Sequence, residues 1–328
     1  MSGRAPLHLP TLADIEAARS RLTGLAIRTP LIRLAMPRPQ APVPTPEVFL
    51  KLENLQPIGS FKLRGAGNAM RRLDATQLRD GVCTASAGNM AQGVAWCARE
   101  SGVPCRVIVP DRAPAAKVDA VKALGADVIR VPFADWWRVM ETHDTQGVPG
   151  AFIHPVENND VMAGNGTIAL EIVEDLPDVD TVVVPFGGGG LISGIGAGIQ
   201  ALRPSCAVLA AEVETAAPLR ASLDAGEARA IERIPTWVDG IGGASVLPAM
   251  WPLVRQVVQD SIVVTLADIA EAVRLLVRHA RIVPEGAGAA ALAASRRDPV
   301  QGRRVVCVVS GGNLEPAVLA TILSGSLP

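Results

Sequence analysis

Lys62 follows a Gly59-Ser60-Phe61 turn, after a strand-like run from Val48 to Leu52 and before a helix-compatible segment from Leu63 to Leu73. A lysine at a strand-to-helix junction is open to a ligand, and Phe61 and Leu63 on either side give it apolar surroundings. Desolvation lowers an ammonium's pKa toward the range where it works as a base or as a Schiff-base nucleophile. The ordinary alternative is a solvated surface lysine, so the assignment draws its weight from three stretches downstream.

Pro185-Phe186-Gly187-Gly188-Gly189-Gly190-Leu191 follows the apolar run Thr181 to Val184 and opens a helix. Four glycines expose successive backbone N–H groups, and a helix N-terminus adds a positive field, which together suit a phosphate. The loop lacks the Gly-Lys-Ser/Thr ending of a nucleotide-binding P-loop, but Glu212 ends the next strand, so a dinucleotide- or phosphate-binding module stands as a second reading. Ser86-Ala87-Gly88-Asn89-Met90 also lies between a strand and a helix. Its amides suit a substrate carboxylate and Asn89 suits a phenolate-like oxygen, with N-capping by Ser86 or Asn89 as the plain alternative. Ser310, in Val309-Ser310-Gly311-Gly312-Asn313, puts a hydroxyl at the end of an apolar strand, where a cap is the simpler role. Facing a pyridine nitrogen, that hydroxyl would support the ring less than a carboxylate does, which favours elimination over transamination.

The elements that must position these residues follow an alternating pattern. Thr11 N-caps an amphipathic helix carrying Leu12, Ile15, Ala18 and Leu22, and Gly24 ends it; Thr29 to Leu34 reads as extended and Pro37 to Pro46 as a proline-rich surface loop. Apolar strands then alternate with helices: strands at 82–86, 105–110 and 128–131, with helices at 90–102, 115–125 and 134–146. The pattern resumes with strands at 181–185, 207–212, 262–266 and 305–309, and helices at 191–202, 267–281 and 286–296. Strands apolar on both faces imply parallel sheets covered by helices, an α/β protein. The run Phe152 to Asn165, with His154-Pro155-Val156-Glu157-Asn158-Asn159, breaks the rhythm as a crossing between lobes would. Residues 80–154 are expected to form a small domain, and residues 1–79 with 155–328 a large one.

Composition narrows the partners. The chain has 328 residues, 49% hydrophobic, with a net charge of −1 and no basic block, which points to a small metabolite rather than nucleic acid or an anionic membrane. No apolar run reaches membrane-span length, and Asp14 and Glu16 stand where a signal peptide needs an apolar core, so a cytoplasmic location is expected. Five scattered cysteines and four scattered histidines give no disulfide framework, zinc spacing or local histidine-based mechanism.

Taken in order, the four stretches resemble the fold-type-II pyridoxal-phosphate enzymes (tryptophan synthase β-like), specifically the serine/threonine dehydratase and serine racemase family. The resemblance extends over Thr29-Pro30-Leu31, Lys51-Leu52-Glu53-Asn54-Leu55-Gln56, Lys117-Val118-Asp119-Ala120, Gly164-Asn165-Gly166-Thr167, Asp239-Gly240 and Ser310-Gly311-Gly312-Asn313. It implies that Lys62 is the Schiff-base lysine and Cα base, with Phe61 flanking the ring. Asn89 would bind the 3′-oxygen, Gly187, Gly188, Gly189, Gly190 and Leu191 the phosphate, and Ser310 the ring nitrogen. Glu285 would face the ring, and Ser86, Ala87, Gly88, Asn89 and Met90 would hold the substrate.

Three departures refine the expectation. The racemases of this family have serine where this chain has Ala87 and the dehydratases have alanine, so the resemblance implies β-elimination of a 3-hydroxy amino acid such as L-threonine or L-serine, with amino-acid racemisation as the alternative. Met90 replaces the usual histidine. Pro218 stands where the family's divalent-cation site, with Glu212 and the Ala216 carbonyl, expects a carboxylate, so no metal is expected. The resemblance further implies a homo-oligomer, dimer or tetramer, and no C-terminal regulatory domain after the Ser310 strand.

Overall fold

Thr11 starts the first helix as expected, accepting from the Asp14 amide while the Asp14 side chain accepts from the Thr11 amide. The computed structural model describes residues 6–35, 46–297, 300 and 303–328; the expected proline-rich loop, Pro46 apart, lies outside them. In chain order the first elements are α1 (Leu12–Leu22), β1 (Leu31–Arg33), β2 (Glu47–Lys51) and α2 (Lys62–Met70). Next come β3 (Val82–Ala85), α3 (Asn89–Ser101), β4 (Cys105–Pro110), α4 (Ala115–Ala123), β5 (Asp127–Val131), α5 (Phe133–Thr142) and β6 (Ala151–Phe152). The rest is α6 (Asn159–Asp175), β7 (Thr181–Pro185), α7 (Gly190–Leu202), β8 (Ala207–Val213), α8 (Pro218–Ala225), α9 (Trp251–Val257), β9 (Asp260–Val264), α10 (Leu266–Leu275), α11 (Gly286–Ser295), β10 (Arg304–Val308) and α12 (Pro316–Leu323).

The strands form two sheets. One has the order β1-β2-β10-β7-β8-β9, parallel except for β1 against β2; the other has the order β5-β4-β3-β6 and is parallel throughout. Alternation along the central strands splits the larger core in two, because successive side chains leave a strand on opposite faces. Val305 and Cys307 pack on one side with α10 and α11, while Val306 and Val308 pack on the other with α6 and α7. This is the α/β architecture of parallel sheets covered by helices that the apolar runs imply.

Helix α6 has no counterpart in the sequence-based pattern. The Asn158 side chain caps it by accepting from the Val161 amide at 3.0 Å, but residues 161–172 are buried on every side, so no polar face marks the helix. Its glycines make contact with neighbours rather than flexibility: a methyl group on Gly164 would run into the Arg64 carbonyl, and one on Gly166 would stand 2.8 Å from Ile15. Helix α5 also ends a turn earlier than expected, with His143 in the left-handed conformation at its C-terminus.

Beneath α2 lies a cluster of buried charges. Arg64 donates to Glu53 at 2.8 Å and to Glu171 at 2.6 Å, and Lys51 donates to Glu171 at 2.5 Å and to the Thr29 carbonyl at 2.6 Å. The Thr29 hydroxyl and the Gln56 amide supply further donors to Glu53. Burial pushes the Lys51 pKa down, with Glu171 opposing. Burial alone would raise that of Glu53, yet Arg64 holds it below the usual carboxylate range. Two cations thus balance two carboxylates. Replacing Arg64 by leucine leaves both carboxylates short of compensation, and the expected loss is about 3–5 kcal/mol of stability, read as a lower midpoint in urea unfolding.

Candidate active site

The segment that leads from β2 into α2 and the residues just after β10 are joined by a short hydrogen-bonded seam. The Phe61 amide donates to the Ser310 carbonyl at 3.0 Å, Ser60 bridges Gly311, and the Gly312 amide donates to the Gly59 carbonyl at 2.9 Å. Gly59 makes the preceding turn at φ +71°, a conformation that suits glycine. The seam puts Lys62, the first residue of α2, next to Ser310, which is 4% exposed. Ser310 is followed by no helix until Pro316, so it is not a cap.

Lys62 Nζ donates to the Pro155 carbonyl at 3.1 Å and lies 5.2 Å from the centre of the Phe61 ring. Burial lowers its pKa to about 8, with the charge of Glu285 opposing. The next residue, Val156, meets the glycine loop: a β-carbon on Gly188 would stand 2.6 Å from Val156 Cγ2. Gly189 takes φ +96° as the N-cap of α7, and the first amides of that helix have no carbonyl one turn earlier to accept from them. Leu191 is buried beneath the loop in the core with Ile192 and Ile195.

Gly187 in turn faces the Gly240 carbonyl, 3.1 Å from where its β-carbon would be, and Gly240 faces Glu285. The Glu285 amide donates to the Gly311 carbonyl at 3.0 Å, and its Oε1 accepts from Asn89 Nδ2 at 2.8 Å. The contacts therefore run in a circuit through Lys62, Pro155-Val156, the glycine loop, Gly240, Glu285, Gly311 and Ser310, back to Lys62. Burial and the nearby charge of Asp239 raise the Glu285 pKa to about 7, against the Asn89 hydrogen bond, Lys117 and Lys62. Asp239 itself is ion-paired to Lys117 of α4.

At the start of α3 the N-cap is Gly88, without a side-chain cap, so neither Ser86 nor Asn89 caps the helix. The Ser86 hydroxyl instead accepts from the Gly88 amide at 3.2 Å. Ser86, Ala87, Gly88 and Asn89 are half-buried, whereas the Met90 side chain is 2% exposed and packs with Leu63, Ala66 and Val94, leaving its backbone as what it offers the loop. Glu212 is turned inward: it accepts from the Leu219 amide at 2.8 Å, the Arg220 amide at 2.7 Å and the Ser261 hydroxyl at 2.6 Å. It anchors the start of α8 and is engaged away from any ribose, which removes the acid that the dinucleotide reading needs.

Sequence reasoning gave no role to the Pro155 carbonyl, the Lys117–Asp239 pair or Asn313, each of which depends on a partner distant in the chain. It also saw the histidines as dispersed, whereas His143 stacks on His154 at 4.2 Å and bonds Glu157 at 3.0 Å. His154 Nδ1 accepts from the amides of Val156 and Glu157, and its Nε2 donates to the Met140 carbonyl, so the ring shapes the turn that carries Pro155.

The chain belongs to the pyridoxal-phosphate dependent enzyme family, whose profile matches residues 22–311. It is 39% identical to L-threonine ammonia-lyase of Thermotoga maritima over 97% of this chain and 79% of that one, and 36% identical to a catabolic L-threonine dehydratase of Staphylococcus aureus over 98% and 94%. Maize serine racemase superposes with a TM-score of 0.85 at 31% identity, over 97% of this chain and 98% of that one. The residues present fit the family's cofactor: a glycine cradle at a helix start, a lysine with a depressed pKa, and the Ser60 hydroxyl, buried beside that lysine with no partner among the described residues.

Glu285 makes a pH prediction. Its pKa is raised from 4.5 to about 7, so between those values the folded, cofactor-free protein retains a proton that the unfolded chain has lost. Its contribution to stability is present below about pH 4.5 and is lost as the pH rises to about 7. Thermal melts of the cofactor-free protein across that window should show Glu285→Gln declining less than the unsubstituted chain.

Proposed function

We propose that this chain is a pyridoxal-phosphate-dependent ammonia-lyase that eliminates the β-hydroxyl of a small 3-hydroxy amino acid, L-threonine or L-serine, as water. The released enamine tautomerises to an imine whose hydrolysis takes a water back, giving a 2-keto acid and ammonia. The observation that carries the reading is the likeness, along nearly the whole chain, to L-threonine ammonia-lyases, in a chain with Ala87 at the substrate loop. When bound, the cofactor supplies an electron sink that acidifies the substrate's Cα–H bond.

In this reading Lys62 holds the cofactor and takes the Cα proton, and its lowered pKa supports that role because it is near the pH at which a base works. The amides of Gly187 to Gly190 and Leu191 bind the phosphate, Phe61 covers one side of the ring, and Ser310 bonds the ring nitrogen without bringing a negative charge to it. Asn89 offers a donor to the 3′-oxygen, and Glu285 stands beside it. The amides of Ser86 to Met90 orient the substrate carboxylate. Ala87 offers only a methyl group, which cannot return a proton to the opposite face of Cα, so expulsion of the β-hydroxyl wins over inversion.

We further assign residues 80–154 to a small domain and residues 1–79 with 155–328 to a large cofactor-binding domain, a division supported by the sheet each strand joins. The enzyme is taken to act as a dimer or tetramer in the cytoplasm. Exposed Ile27 and Leu55 supply apolar surface for such an interface, and among the described residues no helix is long and apolar enough to cross a membrane.

Two experiments test the reading. Borohydride reduction of the holoenzyme should fix the cofactor on the peptide carrying Lys62; a label on another lysine overturns that assignment. Incubation with L-threonine and L-serine should release keto acid at least tenfold faster than D-amino acid, a barrier difference of about 1.4 kcal/mol or more. Equal rates would hand the site to racemisation, with the Ser86 hydroxyl as the proton donor to examine.

A further inference from the structure

Asn313 reaches from the loop after β10 to two other segments. Its Nδ2 donates to the Ile58 carbonyl at 2.9 Å and to Asn89 Oδ1 at 2.7 Å. Room is kept for it by Gly59, where a β-carbon would stand 2.7 Å from Asn313 Oδ1. A side-chain amide has an accepting end and a donating end. Because Asn313 presents protons, Asn89 meets it with oxygen, and the Nδ2 of Asn89 is turned the other way, to Glu285 Oε1 at 2.8 Å. Gly311, the neighbour of Ser310, preserves that arrangement: a β-carbon there would be 3.2 Å from Asn89 Nδ2 and would collide with Glu285 Oε1.

We propose that Asn313 is a positioning residue that locks the Asn89 amide with its N–H end, rather than its carbonyl end, toward the anionic 3′-oxygen of pyridoxal phosphate. The inference rests on the reading of Asn89 as the partner of that oxygen. A reversed amide would set a carbonyl oxygen against an anion, replacing a charge-assisted hydrogen bond with repulsion. The same bond joins the two sheets, since Asn89 begins α3 directly after β3, whereas Ile58 and Asn313 follow β2 and β10. The donor therefore keeps its orientation only while the start of α3 stays docked on the loop at 57–59.

The test is a titration of apoenzymes with pyridoxal phosphate, following absorbance for the dissociation constant and the spectrum of the bound form. Asn313→Asp sets a carboxylate against Asn89 Oδ1 and turns the amide over, and Asn313→Leu removes the donor without adding charge. Both should raise the dissociation constant about tenfold, the scale of one hydrogen bond to a charged group, and move the bound spectrum toward that of Asn89→Ala. In the Asn89→Ala background, Asn313→Asp should add nothing. If Asn89→Ala shifts both readouts while neither Asn313 variant does, or if Asn313→Asp weakens binding further when Asn89 is already alanine, the positioning role is wrong. If Asn89→Ala itself changes neither readout, the contact of Asn89 with the 3′-oxygen fails, and the inference fails with it.

Discussion

Lys51, Glu53, Arg64 and Glu171 meet under α2 almost without access to water, and the cofactor side of the molecule is built on that cluster. Removing four charges from water costs about as much as their mutual attraction returns, so the net gain in stability from such a group is small. Its value lies in what it forbids. Lys51 ends β2, Arg64 sits in the first turn of α2 and Glu171 lies in α6, so any shift of one element against another leaves a charge buried without its partner. Lys62, two residues before Arg64, inherits that fixed position. The Thr29 and Gln56 side chains complete the cluster and tie in the chain between α1 and β1.

Above the cluster, desolvation acts on two groups in opposite senses. It brings Lys62 down to about 8 and Glu285 up to about 7, so a base and an acid with very different ordinary affinities for protons come close to each other and to neutrality. Burial is the largest cause of both shifts, and for Glu285 the charge of Asp239 adds to it. The loops that leave β2, β7 and β10 converge at one end of a parallel sheet, and the start of α3 closes over them. This crowding excludes solvent from both side chains, and perturbed groups of this kind gather where chemistry is done.

Much of this could be read from the sequence, and the remainder resisted for definite reasons. The apolar runs of β3, β4, β7, β8 and β10 announce buried parallel strands because both of their faces are covered, and the glycine loop announces itself because few other residues could start α7 in that conformation. Helix α6 was hidden by being buried all round, which erases the polar face that periodicity detects; the Asn158 cap was the one local sign. Glu212 is the next-to-last residue of its strand, which runs one residue further than expected, and its engagement with the start of α8 and with Ser261 depends on residues that no local pattern joins to it. The Asn89–Asn313 and Lys117–Asp239 pairs likewise bring together residues from distant parts of the chain. Met90 reads from the sequence as part of the substrate loop, but that its side chain packs beneath α2 and leaves its backbone to the loop is set by Leu63 and Ala66, which no local pattern joins to it.

The pairing of β2 with β10 along its whole length also governs the order in which the molecule can form during synthesis. Strands β3 to β6 come from one unbroken stretch and can assemble as that stretch leaves the ribosome. The larger sheet has to wait, because β10 stands between β2 and β7 and follows both of them, and β8 and β9 as well, in the chain. Until then Lys62 has no Ser310 beside it, and β2 and β7 expose unpaired edges to the cell. A nascent chain arrested before residue 304 would carry a finished smaller sheet and an open, adhesive larger one, so any capacity to capture the cofactor arises only once β10 has emerged rather than gradually before it.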